Sequence, residues 1–334
     1  MYEIDFLPVG EGSRSGDAIA LRFTRPDTGR LAHVIIDAGF GGDGDDLVRH
    51  VRTVYGTDTV DLAILTHPDG DHIGGMGEVV RGLHVTELWL HRIGAHGGSS
   101  LPAATAVEDL IGVANDHGTD VWEVWPGVQR FGGALTVIGP DEPYYDELVA
   151  QQVAGEKPLV TVRKTLTEAV RGVFDRVASA LGQEVALVEQ EVNARNNSSM
   201  INLFIVDGRR LLFTADAGVP ALDRAWDFAS ENALAGALSF VQIPHHGSRR
   251  NASSAWLDRV LGPVGQAPSN IAMVSVVADS EDHPSGRVIN AYQRRGWNVL
   301  ATAGERKYSF FGVPLRAGWY PADALPPMIE EDDD

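Results

Sequence analysis

"LTHPDGDHIGG", residues 65–75, places two histidines, two aspartates and three glycines in eleven positions, directly after the apolar run "VDLAI" at 60–64. A short apolar run of this kind reads as a buried strand, which puts the polar cluster at its end. A rigid strand end can aim several side chains at one point. One such end would be ordinary, because a lone His or Asp after a strand also serves as turn former or helix cap. This chain has five. "VIIDAGFGG" offers Asp37, and residues 65–75 offer His67, Asp69, Asp71 and His72. "LLFTADAG" offers Asp216, "VQIPHHGS" His245 and His246, and "VVADSEDHPSG" Asp279, Asp282 and His283.

The chain has no cysteine, so a metal at these strand ends can be held only through imidazole and oxygen donors. Its 334 residues carry a formal net charge of −19, which opposes non-specific binding to nucleic acid or to an anionic membrane unless cations are locally concentrated. The first residues, "MYEIDFLPVG", alternate like a strand and lack a basic-then-apolar signal region. No apolar run approaches the length of a bilayer span, so a soluble cytoplasmic protein is the expectation. Nothing in the sequence identifies a protein partner.

Apolar runs of β type begin near residues 2, 18, 32, 60, 87, 134, 200, 210, 239, 271 and 308. Helical patterns fall between them, near 45–55, 103–117, 220–235, 253–262 and 285–295, which predicts layered sheets covered by helices, an α/β architecture. Residues 1–320 read as one domain with a helical insertion at about 141–195. In that insertion Leu166, Val170, Val173, Phe174, Val177 and Leu181 share one helical face, as a packing stripe or a lid over the site. Residues 321–334, "PADALPPMIEEDDD", read as an acidic, solvated and mobile tail. No internal repeat is visible.

"HPDGDH" followed by "IGG" resembles the HxHxDH signature of the metallo-β-lactamase fold. Within that fold it is most similar to the hydrolase domain of DNA-uptake competence proteins, the ComEC family, whose motif carries Asp in place of the middle His. "GDAIAL" at 16, "NNSSMINLF" at 196, "LLFTADAG" at 211, "IPHHGS" at 243 and "DHPSGRVINAYQRRGWNVLAT" at 282 resemble the same group. The resemblance implies an αββα sandwich with two divalent ions, Zn or Mn, at one edge between the sheets. It implies His67 and Asp69 on the first ion, Asp71 and His72 on the second, Asp216 bridging them, and His246 as a further ligand.

An extended backbone at "HH" would send the two rings opposite ways, so His245 is expected to orient substrate or to support a ligand from behind rather than ligate. Asp37 is expected to anchor the His/Asp loop by hydrogen bonding, and Asn197 and Ser198 to face the site. Many members of the wider fold supply one more His between the signature and the bridging Asp. Here His91, His96 and His117 lie in that interval without a supporting pattern, and they read as structural or exposed, as do His33, His50 and His84. The first position therefore reads as rich in oxygen donors and short of one imidazole, which shifts preference slightly towards Mn.

Two divalent ions lower the pKa of a shared water and neutralise charge on the attacked group, which makes this a hydrolase. Asp71 could take up the proton, and His245 or His283 could stabilise the transition state or protonate the leaving oxygen. The resemblance favours phosphodiester cleavage, with DNA or RNA as candidate substrate and Arg249, Arg250 and Arg195 as nearby cations. A hydrolase of a small ester, lactone, thioester or nucleotide is the alternative; a non-enzymatic partner-binding module is the second.

Overall fold

The structure is a computed structural model and describes residues 1–155, 184, 186–188, 190–280, 283–317 and 322–330. The helical stripe from Leu166 to Leu181 lies outside the described residues, as do Asp282 and residues 331–334.

Strands fall in chain order as β1 (Tyr2–Phe6), β2 (Gly10–Glu11), β3 (Arg14–Ser15), β4 (Ala18–Thr24), β5 (Leu31–Ala38), β6 (Thr59–Ile64), β7 (His84–Leu90) and β8 (Asp120–Glu123). They continue as β9 (Gln129–Arg130), β10 (Leu135–Gly139), β11 (Ile201–Val206), β12 (Arg209–Phe213), β13 (Leu238–Gln242), β14 (Asn270–Val274), β15 (Trp297–Ala301) and β16 (Lys307–Phe311). One seven-stranded sheet runs β16-β1-β4-β5-β6-β7-β8 and the other β15-β14-β13-β12-β11-β10-β9. In each sheet four neighbouring strands are parallel, β5 to β8 in one and β12 to β15 in the other. The other pairings within both sheets are antiparallel.

The sheets face each other across a core in which Phe23, Phe204, Phe213, Phe240 and Phe6 form a continuous chain of rings, neighbouring centroids 5.3 to 6.0 Å apart. On the outer face of the first sheet, Leu47, Val79, Val80, Val107, Leu110 and Val149 pack from helices Asp43–His50, Met76–Gly82, Pro102–Asp116 and Glu142–Ala154. On the outer face of the second sheet, Leu222, Trp226, Trp256, Leu257, Ile289 and Tyr292 pack from Val219–Glu231, Ser254–Leu261 and Gly286–Arg294. The result is four layers, helix, sheet, sheet, helix, the α/β sandwich that the resemblance implied. Because every central strand is covered on both faces, strands such as β6 are apolar at consecutive positions instead of alternating.

The eleven β-type runs are all strands. Residues 325–330 differ from the solvated tail expected of them. The Leu325 amide donates to the Val299 carbonyl (2.8 Å), the Met328 amide to Asn290 Oδ1 (2.8 Å), and Asn290 Nδ2 returns a bond to the Met328 carbonyl (2.7 Å). Leu325 and Met328 lie on the outer core of the second sheet, and Glu330 pairs with Arg294. Two apolar side chains spaced between prolines and acids suffice to dock a segment that its composition marks as solvated.

Candidate metal centre

The candidate residues converge where the carboxyl ends of parallel strands from the two sheets meet. Asp37 closes β5 and His67, Asp69, Asp71 and His72 follow β6. Asp216 follows β12, and His245 and His246 follow β13. Such ends are where open α/β sheets place ligands, because diverging loops leave a crevice there. Four non-glycine residues in these turns have left-handed backbone: Asp37 (φ 56°), Ala215 (46°), His245 (47°) and His246 (54°). Such conformations are disfavoured for residues with a Cβ and persist where the surroundings over-determine them.

The two oxygens of Asp216 face different donor sets. Oδ1 lies 3.6 Å from His72 Nε2 and 3.9 Å from His246 Nε2, and Asp71 Oδ2 lies 3.8 Å from that same His246 nitrogen and 4.0 Å from the His72 nitrogen. Oδ2 lies 3.9 Å from His67 Nε2 and 3.6 Å from His245 Nε2, and Asp69 Oδ2 is 3.8 Å from the His67 nitrogen. These separations are too long for hydrogen bonds and suit donors that share one ion at roughly 2.0 to 2.2 Å each. Asp71, His72, Asp216 and His246 each offer a ligand atom within 4.8 Å of all the others.

His67, His72, Asp216 and His246 are buried, and Nε2 of each of these three imidazoles and Oδ1 of Asp216 have no hydrogen-bond partner among the described residues. Leaving several such atoms unsatisfied costs roughly 1 to 3 kcal/mol each. A cation among Asp71, His72, Asp216 and His246 satisfies three of these atoms, and one beside Asp216 Oδ2 the fourth, His67 Nε2, so the residues present fit divalent ions.

The opposite ring nitrogen of each histidine is held from behind. His72 Nδ1 lies 2.7 Å from Asp37 Oδ2, and His246 Nδ1 donates to the Ser275 carbonyl (2.9 Å). His67 Nδ1 lies 3.2 Å from Thr66 Oγ1 and 3.3 Å from Ser199 Oγ, and His245 Nδ1 lies 2.9 Å from Asn251 Oδ1. A proton fixed on Nδ1 leaves the Nε2 lone pair directed into the site. Asp37 also anchors the loop, accepting from the Thr66 amide (2.8 Å) and hydroxyl (2.6 Å). Behind Asp216, Gln242 Oε1 accepts from the amides of Thr214 (3.0 Å) and Ala215 (2.9 Å), and its Nε2 donates to Asp17 (2.9 Å).

Acids and imidazoles in this cluster hold each other charged. Burial pushes the Asp71 carboxyl up, but the neighbouring imidazoles of His246 and His72 bring it down to about 2. Burial depresses the His246 imidazole, and the neighbouring carboxylates of Asp216 and Asp71 raise it to about 9. His72 is raised and Asp216 lowered for the same reason, each against its own burial. His67 is lowered, by burial first and by His72 second, which favours its neutral form.

Other candidates are placed differently. Asn197 braces the Asp216 turn, with Oδ1 accepting from the Gly218 amide (3.1 Å), while Ser198 Oγ donates to the Arg195 carbonyl (2.6 Å). Their neighbours are the ones that touch the site: the Asn196 amide nitrogen lies 3.1 and 3.3 Å from the two nitrogens of His245, and Ser199 lies behind His67. The His283 ring sits 5.9 Å from that of His245, centroid to centroid. Arg195, half exposed, donates to Asp69 Oδ1 (3.0 Å). Arg249 occupies the turn after the His pair. A crevice beside His67 is lined by Leu65, Thr66, Pro68, His91, Tyr145 and Ser198. Burial depresses His91 to about 4, its Nε2 donates to the Val124 carbonyl (3.0 Å), and its ring stacks on Trp125. The sequence alone did not single out Asn196, Ser199, Gln242 and Asn251; their one signal is position, since Asn196 and Ser199 flank Asn197 and Ser198, and Gln242 and Asn251 lie within six residues of His246.

Among solved structures, a metallo-β-lactamase HARLDQ-motif mutant from Cronobacter sakazakii is similar over 69% of this chain and 72% of its own, at 10% identity and TM-score 0.35. A metallo-β-lactamase from Pontibacter korlensis is similar over 40% of this chain and 55% of its own, at 22% identity and TM-score 0.26. One from Hirschia baltica is similar over 41% and 54%, at 18% identity and TM-score 0.24. The chain thus spans about half the length of the last two. No curated protein matches it significantly. The sequence profile described as "Metallo-beta-lactamase superfamily" matches residues 28–265, most of the chain and all of the strand ends that carry the two donor sets. The chain belongs to the metallo-β-lactamase superfamily, a superfamily of metal-dependent hydrolases.

Proposed function

We propose that the protein is a metal-dependent phosphodiesterase that acts on DNA or RNA. The observation that carries this reading is the position of Arg195. Its guanidinium is held by Asp69 at the solvent side of a site whose carboxylate, Asp216, faces two donor sets. A planar cation there matches the oxygens of a phosphodiester entering beside the first position. Two divalent ions, Zn or Mn, would supply a water of lowered pKa and neutralise charge on the attacked phosphorus. Asp71, partly open to solvent, would take up the proton released from that water. His283 sits at the edge of the site, where a protonated imidazole serves a leaving oxygen.

The net charge of −19 works against sequence-independent binding of long polynucleotides, so affinity has to come from the local cations and the ions. Labelled DNA, labelled RNA, cyclic nucleotides and chromogenic esters, each with Mn²⁺ or Zn²⁺, separate the alternatives. Phosphodiester turnover is expected. Substitution Arg195→Ala should raise KM for phosphodiesters roughly tenfold, the worth of one hydrogen bond to a charged group, and leave uncharged esters unaffected. Ester turnover without phosphodiester turnover rejects the nuclease reading in favour of a small-molecule hydrolase.

A further inference from the structure

The sequence supplies His67 and Asp69 for the first position and no recognisable third donor of its own before Asp216. We propose that His245 completes that position as its fourth protein ligand. This inference rests on the metal-dependent part of the reading above and is independent of the phosphodiester substrate.

The backbone makes it feasible. His245, His246 and Gly247 have successive φ values of 47°, 54° and 80°, so the segment coils left-handed instead of running extended. An extended pair would send its rings to opposite sides. Coiled this way, both rings meet the same carboxylate: His246 Nε2 lies 3.9 Å from Asp216 Oδ1 and His245 Nε2 lies 3.6 Å from Asp216 Oδ2. The division is clean, since Oδ2 is also the oxygen that His67 faces. The His245 amide donates to the Ala215 carbonyl (3.0 Å), which ties the coil to the Asp216 turn.

The ring is oriented as a ligand's would be. Asn251 Oδ1 lies 2.9 Å from Nδ1, and Asn251 Nδ2 donates to the carbonyls of Asp216 (2.8 Å) and Ala217 (3.3 Å). One side chain thus fixes both the His245 tautomer and the backbone of the shared carboxylate. The Asn196 amide nitrogen, 3.3 Å from Nε2, is the neighbour that an ion would displace. With His245 included, each position has two imidazoles and two carboxylates, Asp216 being shared. The first position is then no richer in oxygen than the second, and the two should bind Mn²⁺ or Zn²⁺ with similar strength.

The experiment is equilibrium dialysis of chelator-stripped full-length protein against Mn²⁺ and, separately, Zn²⁺, with bound metal counted by mass spectrometry. Wild type should hold two ions and His245→Ala one. His245→Ala combined with His67→Ala should still hold one, because both changes strike the same position, and combined with His72→Ala none. His245→Asn, whose side chain tolerates left-handed backbone, guards against simple misfolding. It should melt within a few degrees of wild type in EDTA and yet lose most of the stabilisation that Mn²⁺ gives. Asn251→Ala should weaken one of the two ions about 10- to 100-fold. Two ions of unchanged affinity in His245→Ala, or loss of both in the His67 double variant, overturns the proposal. A wild type that binds no ion rejects the metal reading itself.

Discussion

Protonation decides what the site residues do as pH changes, and the sign can be worked out group by group. Asp71 is held near 2 against an ordinary 3.8, so its contribution to stability is complete above about pH 4 and disappears as pH falls towards 2. His246 is held near 9 against 6.5, so its contribution is complete below pH 6.5 and disappears as pH rises through 9. Chelator-treated protein should therefore be most stable between about pH 4 and 6.5. Ion binding runs the other way, because a coordinating imidazole must give up its proton. The gap in thermal midpoint between Mn²⁺-loaded and EDTA-treated protein should widen from pH 6 to pH 9. A gap that narrows over that range would show that His246 does not ligate. From the sequence, Asp71, His72, Asp216 and His246 stood out as candidate ligands through the family resemblance of their motifs. The lone pair that each histidine presents did not, since it depends on acceptors as distant as Ser275 and Ser199.

At the scale of elements, the turn of helix Gly70–Ile73 carries Asp71 and His72, and the glycines after it decide where that turn can sit. Gly75 adopts an ordinary φ of −90°, so left-handed freedom is not what it provides. It provides room: a Cβ there would lie 2.2 Å from the Ala38 carbonyl oxygen and 2.5 Å from the Gly44 amide nitrogen, both backbone atoms that cannot step aside. Gly75→Ala should cost about 1 to 3 kcal/mol in chemical denaturation by overpacking. It should also weaken ion binding, by pushing Asp71 and His72 away from Asp216. Unchanged stability with unchanged ion affinity would show that the loop relaxes freely. Strand runs were legible because doubly covered strands are apolar throughout. Strand β15, "WNVLA", was missed because only Arg295 and Gly296 part it from its helix, too short a break to mark a new element. Strands β8 and β9 were missed because they are short and largely polar.

For the whole molecule, charge is buried as well as apolar surface. Asp5 in β1 is fully buried and accepts from Arg316 (2.5 and 2.8 Å) and from the Tyr55 hydroxyl (2.6 Å), while Glu3 pairs with Arg22 and with Arg316 (2.8 Å). Arg316 follows β16, so this network fastens the last strand of the first sheet to its neighbour. Removing one member of a buried pair leaves the other charged and unsatisfied, which costs roughly 3 to 5 kcal/mol. Arg316→Ala should lower the unfolding free energy in urea by about that amount and leave the ion count at the metal centre unaltered. A loss below about 1 kcal/mol would show the pair to be solvated, as exposed pairs are. Among the described residues no helix is long and apolar enough to cross a membrane, in agreement with the absence of long apolar runs in the sequence.

By itself the sequence determined the layered α/β class and the strand ends that gather the candidate donors, because periodicity and residue type are local properties. Tertiary structure decided three things. The extended pair expected at His245 and His246 is instead coiled left-handed, because the His245 amide bonds to the Ala215 carbonyl across the site. Residues 325–330 dock because helix Gly286–Arg294 and β15 present partners to a segment that would otherwise be solvated. Asp216 faces two donor sets because the packing of two sheets brings the ends of β6, β12 and β13 together. None of these could be read along the chain, since each is a contact between residues that only the folded backbone makes neighbours.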